Sequence, residues 1–320
     1  MMSARFLTVV LERAFNMRDG FGREIDYMRI SVIDSCNLNC YYCNPCDNNE
    51  HCHALNILSV KEVLCIVRAA TRLGIKHFRL TGGEPLLHPQ LDEMVLQIKK
   101  IPGVSSVSLT TNAVLLAQHA KWLKEAGIDS INVSLDTIDA SEYERITKKP
   151  LLEEVKHGIN AAIECGIRVK INVVLTPQTD VVALTRYVAK KGTDIRFIEM
   201  MPVGEGHTNG VEPYKKVIGT LSKLYGEPCR INTEKTKEIN SGNDKRKIPD
   251  NGPAEYYIFP ELGIRVGLIQ AIHGKFCDTC NRIRVTADGR LMPCLGSSVT
   301  MDLVPDSWDF ADDVEKDFAI

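Results

Sequence analysis

The stretch KHFRLTGGEPLLHPQLDEMVLQIKK, residues 76–100, decides the fold. It reads as a short strand over 76–81, a glycine turn at Gly82 and Gly83, and a segment of helical period over 88–100. The same unit recurs on both sides of it. Strand-like runs lie at 28–33, 105–110, 129–135, 168–175 and 193–199, with helical periods at 59–73, 114–126, 152–165 and 180–191. Ser59 and Glu62 make a capping box, and Gly74, Gly127 and Gly166 stand where helices should stop. Strand–helix alternation implies parallel strands joined by helical crossovers. Six such units predict an α/β fold, either a doubly wound sheet or a partial barrel, with ligands at the carboxyl ends of the strands.

After about residue 205 the pattern changes. One more helix is expected at 212–225, then a polar surface loop at 233–247, then short strands near 255–259, 264–269, 282–286 and 290–293. This divides the chain into residues 1–205 and a smaller C-terminal module, 206–320. The last twenty residues are acidic and weakly patterned, an end expected to fray.

The composition, with 320 residues and 44% of them apolar, allows a sizeable core. The net charge is −2, from 39 basic and 41 acidic residues, so no global field argues for nucleic acid. The apolar stretch at the start is interrupted by Glu12 and Arg13, and no run of 18 apolar residues follows. That speaks against secretion and membrane spanning. Eleven cysteines, an odd number, point to metal or redox chemistry in a reducing compartment, taken as the cytoplasm, over a disulfide framework. Cys65 and Cys165 are expected to be core residues, and Cys229 has no local partner.

Two groups of cysteines carry the chemistry. Cys36, Cys40 and Cys43 form C-x3-C-x2-C directly after the first strand. Three thiolates without an obvious fourth suit a cubane iron–sulfur cluster with one open iron. The alternative is a zinc knuckle completed by Cys46, Cys52, His51 or His53. Cys277, Cys280 and Cys294 form C-x2-C-x13-C, and AlaAspGlyArg (287–290) is a turn that folds Cys294 back towards the other two. A zinc hairpin fits that spacing as well. No G-x4-GK[ST] is present, so a triphosphate would need converging Arg and Lys side chains instead of a phosphate loop. GlyGluGlyHisThrAsnGly (204–210) reads as a turn.

The C-x3-C-x-aromatic-C loop, with Tyr42 as the aromatic residue, and ThrGlyGlyGluPro (81–85) resemble the radical S-adenosylmethionine superfamily. FCDTCNRIRVTADGRLMPCL (276–295) narrows the resemblance to the GTP 3′,8-cyclase family of molybdenum-cofactor biosynthesis. MetArgIleSerVal, LeuThrThrAsn, AsnValSerLeuAsp, ArgPheIleGluMetMetProVal and GlyProAlaGluTyrTyr agree with it, over residues 25 to 296. The resemblance implies a partial (βα)6 TIM-like barrel with a small C-terminal module carrying a second cluster. It implies an enzyme, a lyase, that converts GTP to (8S)-3′,8-cyclo-7,8-dihydroguanosine 5′-triphosphate through a 5′-deoxyadenosyl radical.

It further implies two 4Fe–4S clusters, on Cys36, Cys40 and Cys43 and on Cys277, Cys280 and Cys294. S-adenosylmethionine would lie against Tyr42, Gly83, Ser134 and Met201. GTP would lie against Arg29, Arg79, Thr110, Lys170, Arg282, Ile283 and Arg284, with no catalytic side chain beyond the clusters and bound S-adenosylmethionine. A flavodoxin or ferredoxin as electron donor, cyclic pyranopterin monophosphate synthase downstream and a homodimer are the implied partners. Nucleic acid and membrane are not among them.

The sequence departs from the family pattern in four places. Ser35 replaces an arginine and Ala113 a glycine, both small changes, while the 44–53 loop carries Cys46 and Cys52 with two histidines, a further metal site in prospect. Family members end in two glycines, whereas this chain stops at Phe318, Ala319 and Ile320. That last difference favours an alternative, a cyclase-like paralogue acting on a peptide or another small molecule, which ArgIleArg (282–284) opposes. A third reading is a zinc-stabilised binding module without catalysis.

Overall fold

The computed structural model describes residues 17–43, 56–202, 210–231, 252–297 and 299–303. The 44–53 loop, most of 204–210, the polar stretch at 233–247 and the last seventeen residues lie outside them. From the amino end the order is β1 (Tyr27–Ser31), α1 (Val60–Arg72), β2 (His77–Thr81), α2 (Leu91–Lys99), β3 (Ser106–Thr111), α3 (Leu116–Glu125) and β4 (Ser130–Ser134). Then come α4 (Ala140–Thr147), α5 (Leu152–Glu164), β5 (Val169–Val174), α6 (Val181–Lys190) and β6 (Asp194–Ile198). A π-helical turn at Tyr214–Ile218 runs into α7 (Gly219–Tyr225). After it follow β7 (Cys229–Ile231), β8 (Glu255–Ile258), β9 (Arg265–Ile269), β10 (Arg282–Val285), β11 (Arg290–Met292) and β12 (Met301–Asp302).

All twelve strands form one open sheet, ordered β12-β11-β10-β1-β2-β3-β4-β5-β6-β9-β8-β7. The six strands of the repeating unit are parallel neighbours. Two strands from the C-terminal part extend them, β10 parallel to β1 and β9 parallel to β6. Antiparallel strands then finish each edge. This is the open α/β sheet of a partial barrel. Among the described residues no helix is long and apolar enough to cross a membrane.

Successive side chains of a strand point to opposite faces. One face of the parallel strands carries Ile30, Phe78, Leu80, Leu109, Ile131, Ile171 and Phe197, all fully buried. They belong to one apolar core with the inward stripes of the helices: Val63 and Val67 of α1, Met94 and Ile98 of α2, Leu123 of α3, Leu184 of α6. Each such side chain contributes roughly 1.5–3 kcal/mol by leaving water. The other face carries Arg29, Arg79, Ser108, Thr110, Asn132, Lys170, Asn172 and Arg196. Barrels of this type usually fill their interior with branched apolar side chains. Here the interior wall is polar and cationic, and it lines a cavity of about 440 Å³.

The helix ends follow local chemistry. Ser59 Oγ accepts the Glu62 N–H at 3.3 Å and Glu62 returns the bond to the Ser59 N–H at 2.6 Å, the expected capping box. Helix α4 is absent from the reading of the sequence; it is one of the shortest helices, started by Asp139, whose carboxylate accepts the Glu142 N–H at 2.8 Å. Cys65 and Cys165 are half-buried; Cys165, at the end of α5, packs against the core as expected, while Cys65 is not among the residues of that core. Ala113, expected to be a small change from glycine, is fully buried with φ 65°, a left-handed conformation that an alanine adopts at a cost of about 1–2 kcal/mol.

Candidate active site

The first cysteine loop leaves the carboxyl end of β1. Two strand ends pin its base: Gly83 N–H donates to the Ile33 carbonyl at 2.7 Å and Glu84 N–H to the Ser35 carbonyl at 2.8 Å. A Cβ on Gly82 would lie 2.3 Å from the Ile33 oxygen, and one on Gly83 2.2 Å from the Ser35 oxygen. Only glycine permits that approach. The fully buried Glu84 carboxylate accepts from Leu86 N–H, Thr111 Oγ1 and Asn112 N–H at 2.7–3.0 Å. Asn112 Nδ2 in turn reaches Asn37 Oδ1 at 2.7 Å and lies 3.8 Å from Cys36 Sγ. Burial pushes the Glu84 pKa up against the pull of its donors.

The far side of the loop rests on the end of α4. Asn39 N–H donates to the Thr147 carbonyl at 3.0 Å and Tyr41 N–H to the Ile146 carbonyl at 3.1 Å. Cys43 N–H closes a turn on the Cys40 carbonyl at 2.9 Å. Tyr42 donates its hydroxyl to Asp136, whose other oxygen accepts the Val174 N–H at 2.7 Å. Burial raises the Asp136 pKa to about 6. Burial, then Asp136 and the neighbouring thiols, pushes Cys40 up to about 12; Cys36 and Cys43 rise chiefly through burial. Three thiolates are therefore costly here until a cation joins them.

The second loop sits at the opposite end of the strands. Strand β10 begins directly after Cys280 and runs parallel to β1, so Cys277 and Cys280 lie at the amino end of the sheet. The hairpin of β10 and β11 pairs Arg284 with Met292, which brings Cys294 back opposite Arg282. Cys280 N–H donates to the Cys277 carbonyl at 3.2 Å, and Arg282 Nη2 lies 3.5 Å from Cys280 Sγ. Between β9 and this loop, the buried Glu199 carboxylate accepts from Ile272 N–H and His273 N–H at 2.8 and 3.1 Å and from the His273 ring.

Among the described residues no three His, Cys, Asp or Glu side chains are arranged to hold a single metal ion. Among the described residues each loop offers three thiols, and the residues that could complete a zinc knuckle on the first, Cys46, Cys52, His51 and His53, lie outside them. Three thiols are the donor set of a cubane with one open iron. The additional metal site expected on Cys46 and Cys52 falls outside the described residues.

The cavity lies between the two loops. In register across three neighbouring strands stand Arg79, Arg29 and Arg284. Burial, then Arg284 and Arg79, drives the Arg29 pKa well down, and its Nε is buried with no hydrogen-bond partner among the described residues. Burial would raise the Tyr27 phenol, but Arg79 and Arg29 outweigh it and its pKa falls. Arg79 bonds Tyr27 Oη and, at 3.4 Å, Thr110 Oγ1. Lys170, Arg168, Arg196 and Arg282 add cations to the wall, against one lining carboxylate, Asp129, which is already paired with Lys99.

Of the expected ligand residues, Arg29, Arg79, Thr110, Lys170 and Arg282 line this cavity. Arg284 lies beside Arg29 in the row, while the Ile283 side chain turns into the core and leaves only its main chain on the site. Tyr42, Gly83, Ser134 and Met201 stand at or just beyond the carboxyl ends of the strands, on the first loop's side. Reading the sequence missed Arg196, Asn132 and Asn172 on the wall, and Glu84, Asp136 and Glu199 behind the loops. Alternation along β4, β5 and β6 was the signal for the first three; the carboxylates act on residues remote in sequence.

Residues 30–184 match the Radical SAM superfamily and residues 193–307 match Molybdenum Cofactor Synthesis C. A GTP 3′,8-cyclase of Clostridium perfringens is 37% identical over 282 residues, covering 87% of this chain and 83% of the relative. One of Pelotomaculum thermopropionicum is 38% identical over 294 residues, covering 90% and 86%. This chain belongs to the GTP 3′,8-cyclase family. As a radical S-adenosylmethionine enzyme, it uses S-adenosylmethionine and an iron–sulfur cluster.

Solved structures agree on the fold. Streptococcus suis SuiB bound to S-adenosylmethionine superposes with a TM-score of 0.61 at 15% identity, over 87% of this chain; the match spans 63% of SuiB, under two thirds of its length. AnSMEcpe with bound AdoMet gives 0.58 at 18% identity, over 85% of this chain and 75% of that one. Neither likeness speaks for a shared substrate.

Proposed function

We propose that this chain is a radical GTP 3′,8-cyclase acting in molybdenum-cofactor biosynthesis, converting GTP to (8S)-3′,8-cyclo-7,8-dihydroguanosine 5′-triphosphate. The observation that carries the reading is the in-register row Arg79–Arg29–Arg284, of which Arg79 and Arg29 line the cationic cavity. Like charges on adjacent strands repel, and only a polyanion offsets that cost. A triphosphate supplies up to four negative charges and acceptors for each guanidinium fork.

Cys36, Cys40 and Cys43 hold the first cluster, with S-adenosylmethionine against Tyr42, Gly83, Ser134 and Met201. Bound there, the pair supplies the 5′-deoxyadenosyl radical that takes the ribose 3′ hydrogen. Cys277, Cys280 and Cys294 would hold a second 4Fe–4S cluster, which would offer a Lewis-acidic iron to the guanine end of the substrate. The protein's own residues bind and orient the substrate. Arg29, Arg79, Arg284 and Lys170 neutralise the phosphates, Thr110 and Arg282 fix the nucleotide's position, and the main chain at Ile283 keeps the two arginines on one side of β10. Held at both ends, the substrate presents its ribose to the first loop.

The division of labour falls near residue 205: residues 1–205 serve the radical chemistry and 206–320 bring the second cluster. A flavodoxin or ferredoxin supplies the electron in the cytoplasm, the protein works as a homodimer, and cyclic pyranopterin monophosphate synthase takes the product onward. Anaerobic incubation of reconstituted protein with GTP, S-adenosylmethionine and dithionite tests the reading, by mass spectrometry of both products. 5′-Deoxyadenosine and the cyclised nucleotide should appear in step. Deoxyadenosine without a GTP product would overturn the substrate and leave the paralogue reading; neither product, from protein with a full iron count, would overturn the catalytic claim.

A further inference from the structure

Arg23 lies outside the cavity and none of the functions above uses it. It is built into a rigid turn. Asp19 Oδ1 accepts the Phe21 and Arg23 N–H groups, both at 3.0 Å, and Asp19 Oδ2 accepts Arg23 Nε at 2.7 Å. The main chain closes the same turn through Asp19 N–H to the Arg23 carbonyl at 3.1 Å and Gly22 N–H to the Asp19 carbonyl at 2.9 Å. Gly22, at φ 77°, permits it. One side of the guanidinium is thus committed to Asp19. The remaining nitrogen, Nη1, donates to the main-chain carbonyl of Cys277 at 2.6 Å, across 254 residues of sequence.

That carbonyl also accepts the Cys280 N–H, so Arg23 grips the turn that sets the spacing of the first two thiols of the second loop. The side chain is about three-quarters buried. The thiols of Cys280 and Cys277 both act on its charge. On the cavity side, Arg282 meets Cys280 Sγ and Arg284 feels Cys294 and Cys280. The second loop is therefore bracketed by cations on two sides. Arg282 lines the substrate cavity, Arg284 stands on the same face of β10 beside Arg29, and the third comes from the turn before β1.

We propose that Arg23 is a positioning residue for the second iron–sulfur cluster. Its guanidinium, aligned by Asp19, fixes the Cys277 carbonyl and keeps a permanent positive charge outside the cluster. Added negative charge on the cluster is favoured by that cation, so Arg23 raises its reduction potential relative to a neutral residue. Lysine would keep the charge but cannot hold Asp19 and the carbonyl together, because it lacks the planar fork. The proposal rests on the two-cluster reading above.

The test uses the full chain, reconstituted anaerobically, as wild type and as R23M, R23K and D19N. Iron and sulfide per chain are counted and both clusters are titrated by EPR. In R23M the second cluster should titrate at a more negative potential, its reduced-to-oxidised ratio at the wild-type midpoint falling on the order of fivefold, with the first cluster unmoved. R23K should restore most of the potential yet lose iron faster from the second site than wild type. D19N, which leaves the guanidinium in place but frees it, should broaden the second cluster's signal without moving the first. Selective loss of the second cluster in R23M, with R23K retaining it, would equally support the role. Unchanged potential and retention in all three variants would overturn it. One cluster only in the wild type would instead overturn the two-cluster reading, and the proposal with it.

Discussion

Replacing Arg29 by methionine should move stability and binding in opposite directions. In the ligand-free protein the Arg29 guanidinium is buried, its Nε has no partner among the described residues, and Arg79 and Arg284 flank it in register. Adjacent strands lie about 4.8 Å apart, and splayed guanidiniums about 7 Å apart at an effective dielectric constant near 20 repel by roughly 2 kcal/mol per pair. Solvent in the cavity removes about half of that. The orphaned donor costs a further 1 kcal/mol or so, while methionine keeps most of the packing. R29M should therefore stabilise the metal-free protein by about 3 kcal/mol, read as a urea midpoint shifted upward at constant slope. Phosphate binding should fall: a lost guanidinium–phosphate contact of about 3 kcal/mol weakens tripolyphosphate roughly a hundredfold, measured calorimetrically on the same preparations. A cation that merely supported the fold would behave the other way. R29M unfolding at lower urea than wild type, or binding tripolyphosphate equally well, would refute the reasoning.

Two further perturbations follow from single contacts. A Cβ on Gly267 would stand 2.8 Å from Arg196 Cγ and 2.9 Å from the Tyr256 ring, so G267A should push Arg196 into the cavity and raise the GTP KM about tenfold with a smaller change in kcat, measured by steady-state kinetics. His88 is held neutral, its Nε2 bonding the Leu58 carbonyl at 2.9 Å and its Nδ1 accepting the Gln90 N–H at 3.1 Å, and burial lowers its pKa. The unfolded chain therefore takes up its proton first, so stability falls as pH drops through about 6.5 towards the lower folded value. H88Q should flatten that part of the profile in urea titrations from pH 8 to 5; an unchanged slope would show that His88 is not the group responsible.

Much of the fold was legible because its signals are local. The strand runs, the Ser59 capping box and the glycine stops at 74, 127 and 166 all recur in the structure near their expected places. Helix α4 escaped because eight residues give barely two turns of periodicity. The site was legible only where a motif marks it. Arg29, Arg79 and Arg284 were each visible as charges on strands, but their alignment depends on register between strands far apart in sequence, which no local pattern carries. Asp136 meets Tyr42 across 94 residues and Glu199 meets His273 across 74; both lie in stretches that resemble the family, but nothing local in the sequence names their partners.

One strand pair joins every part of the candidate site. Strand β1 runs into the first cysteine loop and β10 runs out of the second, and the two are parallel neighbours. Their register places Arg29 beside Arg284 and Ile30 beside Val285, so a slip of one residue would turn Arg284 into the core and Ile283 into the cavity. The register is set where the strands begin. Asn281 donates its side-chain amide to Asp26 Oδ1 at 2.6 Å, and its carbonyl accepts the Tyr27 N–H at 3.2 Å. N281A keeps the main-chain bond and removes the side-chain one, a loss of about 1–2 kcal/mol with Asp26 left without that donor. Because the bond lies at the amino end of the sheet, next to Cys280, the loss should fall on the second loop. On the proposed two-cluster reading, N281A protein should release iron faster from that loop while the first keeps its cluster, measured by EPR of the two signals during chelator challenge. Equal loss from both loops would mean that the register is held elsewhere along β1 and that the two ends of the sheet rise and fall together.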